Sequence, residues 1–117
     1  MKIFDCFMYW DEDLILDIRF NILDRYVDKF VIVESNRTWQ NNNKDLKFDI
    51  NKFKNFKDKI IYIPIKNMPE GKNPWVRENF QRNCISLGLK EADPDDLIII
   101  SDIDEIPNLE NNKIKNI

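Results

Sequence analysis

Two aspartates near the carboxyl end of the chain form the pattern with the clearest chemical meaning. Asp102 and Asp104 follow the apolar run Leu97-Ile98-Ile99-Ile100. If the backbone stays extended, side chains two residues apart project to the same side, so the two carboxylates would converge. Adjacent carboxylates repel unless a cation neutralises them, and Mg²⁺ or Mn²⁺ prefers such oxygen ligands. The pattern therefore predicts a metal or phosphate site at a strand end, the alternative being a solvated strand end that keeps a sheet edge soluble.

The composition narrows the chemistry that is available. The 117 residues include no histidine and two cysteines, which excludes histidine-containing zinc sites and Ser-His or Cys-His catalysis within this chain. Cys6 and Cys84 are expected to be reduced core thiols. A net charge of −3 argues against a nucleic-acid partner or an anionic membrane held by a broad basic surface. Carboxylates, amides and arginines must therefore carry any catalysis.

A second group of candidates lies on the predicted helix Asn73–Leu89. It opens with Asn73-Pro74, an N-cap followed by proline at the first helical position. Asn83 falls within the apolar face expected for this helix, so its amide is either hydrogen-bonded inside the protein or in contact with a ligand. That expected face consists of Val76, Phe80, Cys84 and Leu87.

Other polar and aromatic residues are expected to have structural roles. Arg19 lies among apolar positions of the first helical pattern, and a structural ion pair is the favoured interpretation. Trp10, Trp39 and Trp75 are expected to pack rather than to stack on a ligand.

The elements that must position these residues alternate along the chain. Helical patterns cover Asp13–Val27, Asn51–Phe56 and Asn73–Leu89. Continuous apolar runs are typical of strands covered on both faces, and here they predict the strands Ile3–Met8, Lys29–Glu34, Lys59–Ile65 and Asp96–Ser101. The order predicts an α/β, Rossmann-like, mostly parallel sheet with flanking helices. The two aspartates would then lie at its carboxyl edge, where open α/β sheets bind ligands.

Several segments together resemble glycosyltransferase family 17. They are Asp5-Cys6-Phe7-Met8, Asp28-Lys29-Phe30-Val31-Ile32-Val33-Glu34, Asn73-Pro74-Trp75-x-Arg77-Glu78-Asn79-x-Gln81-Arg82-Asn83, and Asp93-Pro94-Asp95-Asp96 running into Ser101-Asp102-Ile103-Asp104-Glu105-Ile106-Pro107. The match covers nearly the whole chain in the right order, which makes it far more specific than any single motif. The resemblance implies a GT-A type fold and a nucleotide-sugar transferase.

The resemblance also implies a reaction and its residues. The expected reaction is inverting transfer of N-acetylglucosamine from UDP-N-acetylglucosamine to a glycan acceptor such as a β-1,4-mannosyl glycoprotein, with Mn²⁺ or Mg²⁺. By position, Asp102 and Asp104 are implied to bind the metal and the donor diphosphate, and Arg77, Arg82 and Asn83 are implied to lie on the donor side. The catalytic base is unknown. Glu105 is a weak candidate for it, with Glu34 as a second.

The extent and setting of the domain give further expectations. Residues 1–117 are expected to form the donor-binding half of a GT-A domain, truncated after the Asp-x-Asp motif, with self-association or a partner supplying the acceptor half. Two alternatives stay open: a non-catalytic or degenerate sugar-nucleotide binding module, and a Mg²⁺-dependent phosphotransferase of the haloacid-dehalogenase kind. No signal peptide and no apolar run of about 20 residues is visible. A cytoplasmic location is therefore expected, although the eukaryotic family members are Golgi membrane proteins.

Overall fold

The centre of the fold is a four-stranded sheet, seen in a computed structural model that describes residues 1–110. The strands are β1 (Ile3–Met8), β2 (Lys29–Ser35), β3 (Ile60–Ile65) and β4 (Leu97–Ile100). Their order in the sheet is β3-β2-β1-β4, and all three pairings are parallel. The predicted α/β class and parallel sheet are confirmed, and every predicted strand boundary is within one residue. Residues 111–117 of the predicted domain lie outside the described residues.

Two α-helices and two 3₁₀ helices connect the strands. They are α1 (Asp13–Leu23), the 3₁₀ helix Ile50–Lys59, α2 (Pro74–Asn83) and the 3₁₀ helix Cys84–Gly88. The predicted N-cap of α2 is confirmed, because Asn73 Oδ1 accepts a hydrogen bond from the N–H of Trp75 at 3.0 Å. The single predicted helix Asn73–Leu89 is wrong in its second half, where the chain tightens into the 3₁₀ helix. Among residues 1–110, no helix has both the length and the apolar character to span a membrane.

The alternation of side chains along the strands places two apolar layers on opposite faces of the sheet. One face is covered by α1 and the 3₁₀ helix Ile50–Lys59, and its buried core includes Phe7, Phe20, Phe30, Ile32 and Phe53. The other face is covered by the segment that runs from α2 to β4, and its core is Phe4, Cys6, Val31, Val33, Ile65 and Ile85. Because both faces are covered, the four strands hold the loops at their carboxyl ends on a rigid base.

The second layer lies very close to the sheet at one point. A Cβ atom placed on Gly88 would lie 2.5 Å from Cγ1 of Val31 in β2. Only glycine allows the backbone of the 3₁₀ helix Cys84–Gly88 to approach the sheet this closely without a shift of that valine.

Candidate functional site

A cleft of about 600 Å³ opens at the carboxyl edge of the sheet. Its walls are formed by the segments that follow β1, β2 and β4 and by the first half of α2. The lining residues are Met8, Trp10, Glu12, Ile15, Trp39, Glu78, Asp102, Ile103 and Asp104. This is the position where open parallel sheets bind their ligands.

The lining of this cleft is strongly acidic. It includes four carboxylates and neither lysine nor arginine. Lys44 lies nearby, with its ammonium 5.9 Å from the centre of the Trp10 ring, but it is already paired with Glu34 at 2.7 Å. Hard divalent cations are bound by oxygen ligands of this kind, whereas a bare phosphate would be repelled. The residue types of the cleft are those that Mg²⁺ or Mn²⁺ prefers, although among residues 1–110 the three carboxylates whose oxygens lie within 4.8 Å of one another, Asp93, Asp95 and Asp96, are outside it.

The segment that carries the two aspartates is a turn and not an extended strand. Pairing of β4 with β1 ends at Ile100, opposite Cys6. The N–H of Glu105 then donates to the carbonyl of Asp102 at 2.9 Å, and Glu105 Oε1 accepts from the N–H of Asp102 at 3.0 Å. The expectation of extended geometry was wrong, because the backbone groups of Asp102 bind Glu105 and Arg19 and do not continue the pairing with β1, and aspartate favours such turns. Both aspartates are exposed and line the same cleft.

Arg19 of α1 holds this turn from inside the protein. Its guanidinium is fully buried and forms a bidentate ion pair with Asp5 of β1, Nε to Oδ2 at 2.8 Å and Nη2 to Oδ1 at 2.6 Å. Nη2 also donates to Ser101 Oγ at 2.7 Å. Nη1 donates to the backbone carbonyls that follow, those of Asp102 (2.9 Å), Ile103 (3.1 Å) and Glu105 (3.1 Å). The predicted structural ion pair is confirmed, but the sequence gave no sign of its contacts with the turn.

The buried face of α2 is polar, contrary to expectation. Arg77 is 2% exposed and Gln81 is fully buried, whereas Val76 and Leu87 of the predicted apolar face are about half exposed. The Arg77 guanidinium donates to the carbonyls of Trp39 and Gly71, which explains its burial. Gln81 accepts from the Trp39 indole at 2.8 Å and donates to the carbonyl of Val33 at 3.3 Å. These partners, which lie in β2 and on the loops after β2 and β3, turn the polar side chains inward and are invisible to a count of apolar positions. Phe80 and Cys84 of the predicted face do pack against the core.

The other two candidates on this helical segment lie at its surface. Asn83 is exposed, so the expectation that it lies in the apolar face was wrong. The fully or almost fully buried residues of α2 are Arg77 and Gln81. Arg82 is also exposed, with Nη2 3.6 Å from Oε1 of Glu78. It lines a smaller cavity of about 140 Å³ together with Ser101, Asp102 and Glu105. The structure thus brings Arg82 to the aspartate turn and leaves Arg77 engaged with backbone carbonyls.

Comparison with known proteins identifies the family of this chain. The model of glycosyltransferase family 17 matches residues 1–116. The chain belongs to glycosyltransferase family 17. Among curated members, the β-1,4-mannosyl-glycoprotein 4-β-N-acetylglucosaminyltransferases of Homo sapiens and Rattus norvegicus are each 33% identical over 103 residues, and that of Mus musculus is 32% identical. The match covers 80% of this chain but 19% of each relative, so the chain spans about a fifth of their length. No solved structure matches it significantly.

The cleft of this glycosyltransferase family 17 chain contains residues that the sequence analysis missed. Glu12 and Glu78 were not proposed as site residues, yet both line the cleft. Trp10 and Trp39 pack against each other as expected, as an edge-to-face pair with ring centres 5.2 Å apart, and both also line the cleft. Trp75, also expected to pack, is 67% exposed. One signal was available for all four cleft residues, since Trp10, Glu12 and Trp39 lie soon after the carboxyl end of a predicted parallel strand and Glu78 lies on the helix that follows one.

The two glutamates considered as catalytic bases differ in their surroundings. Glu34 is fully buried, and its carboxylate accepts hydrogen bonds from the Lys44 ammonium, the N–H groups of Lys47 and Phe48, and the Tyr62 hydroxyl. It therefore anchors the polar loop after β2. Glu105 is exposed at the aspartate turn, where one oxygen caps the Asp102 N–H. Its role as a base stays a prediction.

An acidic cluster lies away from the cleft, before β4. Carboxylate oxygens of Asp93, Asp95 and Asp96 lie within 4.8 Å of one another. Asp96 is already used structurally, because it accepts from the backbone N–H groups of Asp93 and Lys2 at 2.8 Å each, and these hydrogen bonds lower the pKa of its carboxyl. Exposed acidic groups of this kind are common without a metal. A substitution in this cluster is therefore a suitable control for substitutions in the cleft.

Proposed function

We propose that this chain supplies the donor-binding part of an inverting N-acetylglucosaminyltransferase that uses UDP-N-acetylglucosamine, a divalent cation and a glycan acceptor. The observation that carries the proposal is the acidic cleft at the carboxyl edge of the sheet, with Asp102 and Asp104 on one turn of its wall. Family membership and the printed names of the curated relatives support the choice of sugar and acceptor class. They favour a sugar transferase over a phosphotransferase.

In this proposal the metal and the diphosphate are bound at the aspartate turn. Asp102 and Asp104 would hold Mn²⁺ or Mg²⁺, and the chemistry that such an ion would supply is neutralisation of negative charge on the leaving diphosphate. Arg82 lies beside the same turn and is exposed, so its guanidinium is available to a phosphate oxygen. Arg77 acts indirectly, by holding the Trp39 and Gly71 backbones that frame the cleft. Asn83 remains a donor-side candidate at the exposed end of α2.

The remaining cleft groups suit a sugar nucleotide. The Trp10 and Trp39 rings provide an apolar wall opposite the carboxylates, which suits the faces of a sugar or a base. An inverting transfer also needs a base that accepts the proton of the attacking hydroxyl. Glu105 is the base candidate at the turn, although the Asp102 N–H already engages one of its oxygens.

Calorimetry of UDP binding tests the metal site directly. We expect UDP to bind in Mn²⁺ and the affinity to fall when EDTA removes the metal, because the acidic cleft repels the diphosphate. Asp104→Asn should weaken binding about tenfold or more, which corresponds to about 1.4 kcal/mol or more. The melting temperature of the metal-free variant should change little, because this carboxylate is exposed.

Asp95→Asn is the matched control, since it removes an exposed carboxylate from the cluster before β4. It should leave UDP binding unchanged. Equal UDP affinity with and without EDTA would contradict the metal role. Loss of binding in Asp95→Asn, with Asp104→Asn unaffected, would move the site to the other cluster.

A further inference from the structure

The contacts between Arg19 and the aspartate turn imply a role beyond holding the core together. We propose that Arg19, oriented by Asp5, is a positioning residue that fixes the direction of the Asp102 and Asp104 carboxylates before a cation binds. This inference rests on the proposed metal site. It concerns residues that lie outside the cleft lining, because neither Arg19 nor Asp5 contributes to that lining.

Several backbone carbonyls of the aspartate turn meet at the guanidinium of Arg19. Nη1 lies within 3.1 Å of the carbonyl oxygens of Asp102, Ile103 and Glu105. Three carbonyls of one short segment therefore point inward, toward α1. A peptide plane whose carbonyl is fixed has little freedom to rotate, so the Cα–Cβ directions along the turn are fixed with it. The exposed side chains of Asp102 and Asp104 are thereby directed outward, to the cleft.

The guanidinium of Arg19 is itself held in place by its neighbours. Asp5 binds two of its nitrogens at 2.8 and 2.6 Å, and both side chains of this ion pair are fully buried. The Phe7 ring lies against the guanidinium, with its centre 4.6 Å from Cζ. β1 is the strand between β2 and β4, so Asp5 stands on a rigid part of the sheet. The turn is thus connected to the centre of the fold through a fork of fixed geometry.

The turn has other supports, since hydrogen bonds between Asp102 and Glu105 close it and Ile103 packs against the core, and Arg19 adds to them a link to the buried Asp5. Asp102, Asp104 and Glu105 are exposed, and Ile103 is half-buried. Two neighbouring carboxylates on a flexible turn would separate, because their charges repel when no cation is bound. Charge-assisted hydrogen bonds fix the backbone of the turn before the ion binds. Binding then loses less conformational entropy than it would on a flexible turn. Arg19 therefore contributes to metal affinity without touching the metal.

Arg19→Lys tests this role, because lysine keeps the charge but loses the planar fork. We expect affinity for Mn²⁺ in the presence of UDP to fall about tenfold to a hundredfold, the usual effect of removing a group that orients metal ligands. Hydrogen exchange gives a readout that needs no ligand. The N–H groups of Asp102 and Glu105, which close the turn, should exchange faster relative to the N–H groups of β1 and β2.

A matched control separates positioning from general stability. Leu23→Ala opens a cavity at a fully buried apolar position of the same helix and removes none of the hydrogen bonds of the turn. It should lower the melting temperature but leave the Mn²⁺ affinity of the folded chain and the relative exchange of the turn unchanged. Ser101→Ala removes one contact of Arg19, at 2.7 Å, together with the hydrogen bond from Ser101 Oγ to the Glu105 carbonyl at 3.1 Å, and is the milder variant if Arg19→Lys does not fold. It should produce smaller changes in the same direction.

The outcomes distinguish this inference from the proposed function. Unchanged Mn²⁺ affinity in folded Arg19→Lys, or equal losses in Leu23→Ala at equal stability, would overturn the positioning role. If Arg19→Lys does not fold, unchanged affinity and exchange in Ser101→Ala would do the same. A wild-type chain that binds neither Mn²⁺ nor UDP would overturn the proposed function and the link to metal affinity, and turn exchange would still decide whether Arg19 holds the turn.

Discussion

The buried carboxylate of Glu34 holds the polar loop after β2, and its replacement by glutamine should measure how strongly. Four donors converge on it: the Lys44 ammonium and the Lys47 N–H on Oε2, both at 2.7 Å, and the Tyr62 hydroxyl and the Phe48 N–H on Oε1, at 2.7 and 3.1 Å. Glutamine has nearly the same shape, but one of the two oxygens becomes an NH₂ group. At least one backbone N–H, that of Lys47 or of Phe48, then faces a donor, even though the Tyr62 hydroxyl can turn to accept.

The expected loss follows from these contacts. A hydrogen bond to a charged group contributes about 1.5–3 kcal/mol, and breaking a buried ion pair costs about 3–5 kcal/mol. Lys44 is 13% exposed and can turn part of the way to water, which offsets some of the loss. We therefore expect Glu34→Gln to lower the free energy of unfolding by about 3 kcal/mol, a large part of the total for a small domain. Tyr62→Phe removes one donor and should cost about half as much.

Urea denaturation followed by tryptophan fluorescence measures both variants. We expect Glu34→Gln to have a clearly lower free energy of unfolding than Tyr62→Phe, since it disturbs two donors rather than one. A Glu34→Gln chain within about 0.5 kcal/mol of wild type, as for an ordinary surface substitution, would refute the anchoring role. It would also return Glu34 to consideration as a chemically active group.

Two further predictions concern packing and pH. Gly88→Ala should lower the free energy of unfolding by about 1–3 kcal/mol, because its Cβ would lie 2.5 Å from Val31 Cγ1; in the background of Val31→Ala the same change should cost less, and equal costs in the two backgrounds would contradict the steric reason. Burial raises the pKa of the Cys6 thiol from 9.0 to about 12, and burial with the hydrogen bond to Glu34 raises the pKa of Tyr62 from 10.0. The folded chain then keeps protons that the unfolded chain releases, so the contribution of these groups is complete below pH 9.0, the ordinary thiol pKa, and declines above it. The urea midpoint should fall with rising pH, less steeply in Tyr62→Phe, and a flat profile would count against the shifted pKa values.

The strands could be predicted from sequence because each is a local apolar run. Residues such as Phe30 to Val33 are buried on both faces of the sheet, and that environment selects the same residue types in any parallel sheet. The parallel direction of the strands followed from the alternation of strands and helices, whereas their order in the sheet was not predicted. Local patterns were sufficient here because the information needed was itself local.

The candidate site was predicted in part, and its errors have a common cause. Asp102 and Asp104 were located at the right edge of the sheet, but their turn depends on Arg19, 83 residues earlier than the first carbonyl it contacts. Apolar counting placed Phe80 and Cys84 on the inward side of this segment correctly, but it missed Arg77, whose burial depends on the carbonyls of Trp39 and Gly71. Contacts between a side chain and distant backbone leave no periodic signal, so they could not be predicted.

The position of β1 between β2 and β4 has a consequence for how the chain acquires its site during synthesis. β1 and β2 can pair early, and Arg19 can find Asp5 only 14 residues away. The second neighbour of β1 and the turn carbonyls come from the end of the chain, and at ordinary translation rates they follow roughly ten seconds later. Until then, one edge of the central strand and part of a buried guanidinium have no native partners. Closing the sheet and completing the aspartate turn are therefore one late folding step, and a chain arrested before it has most of its core but no site.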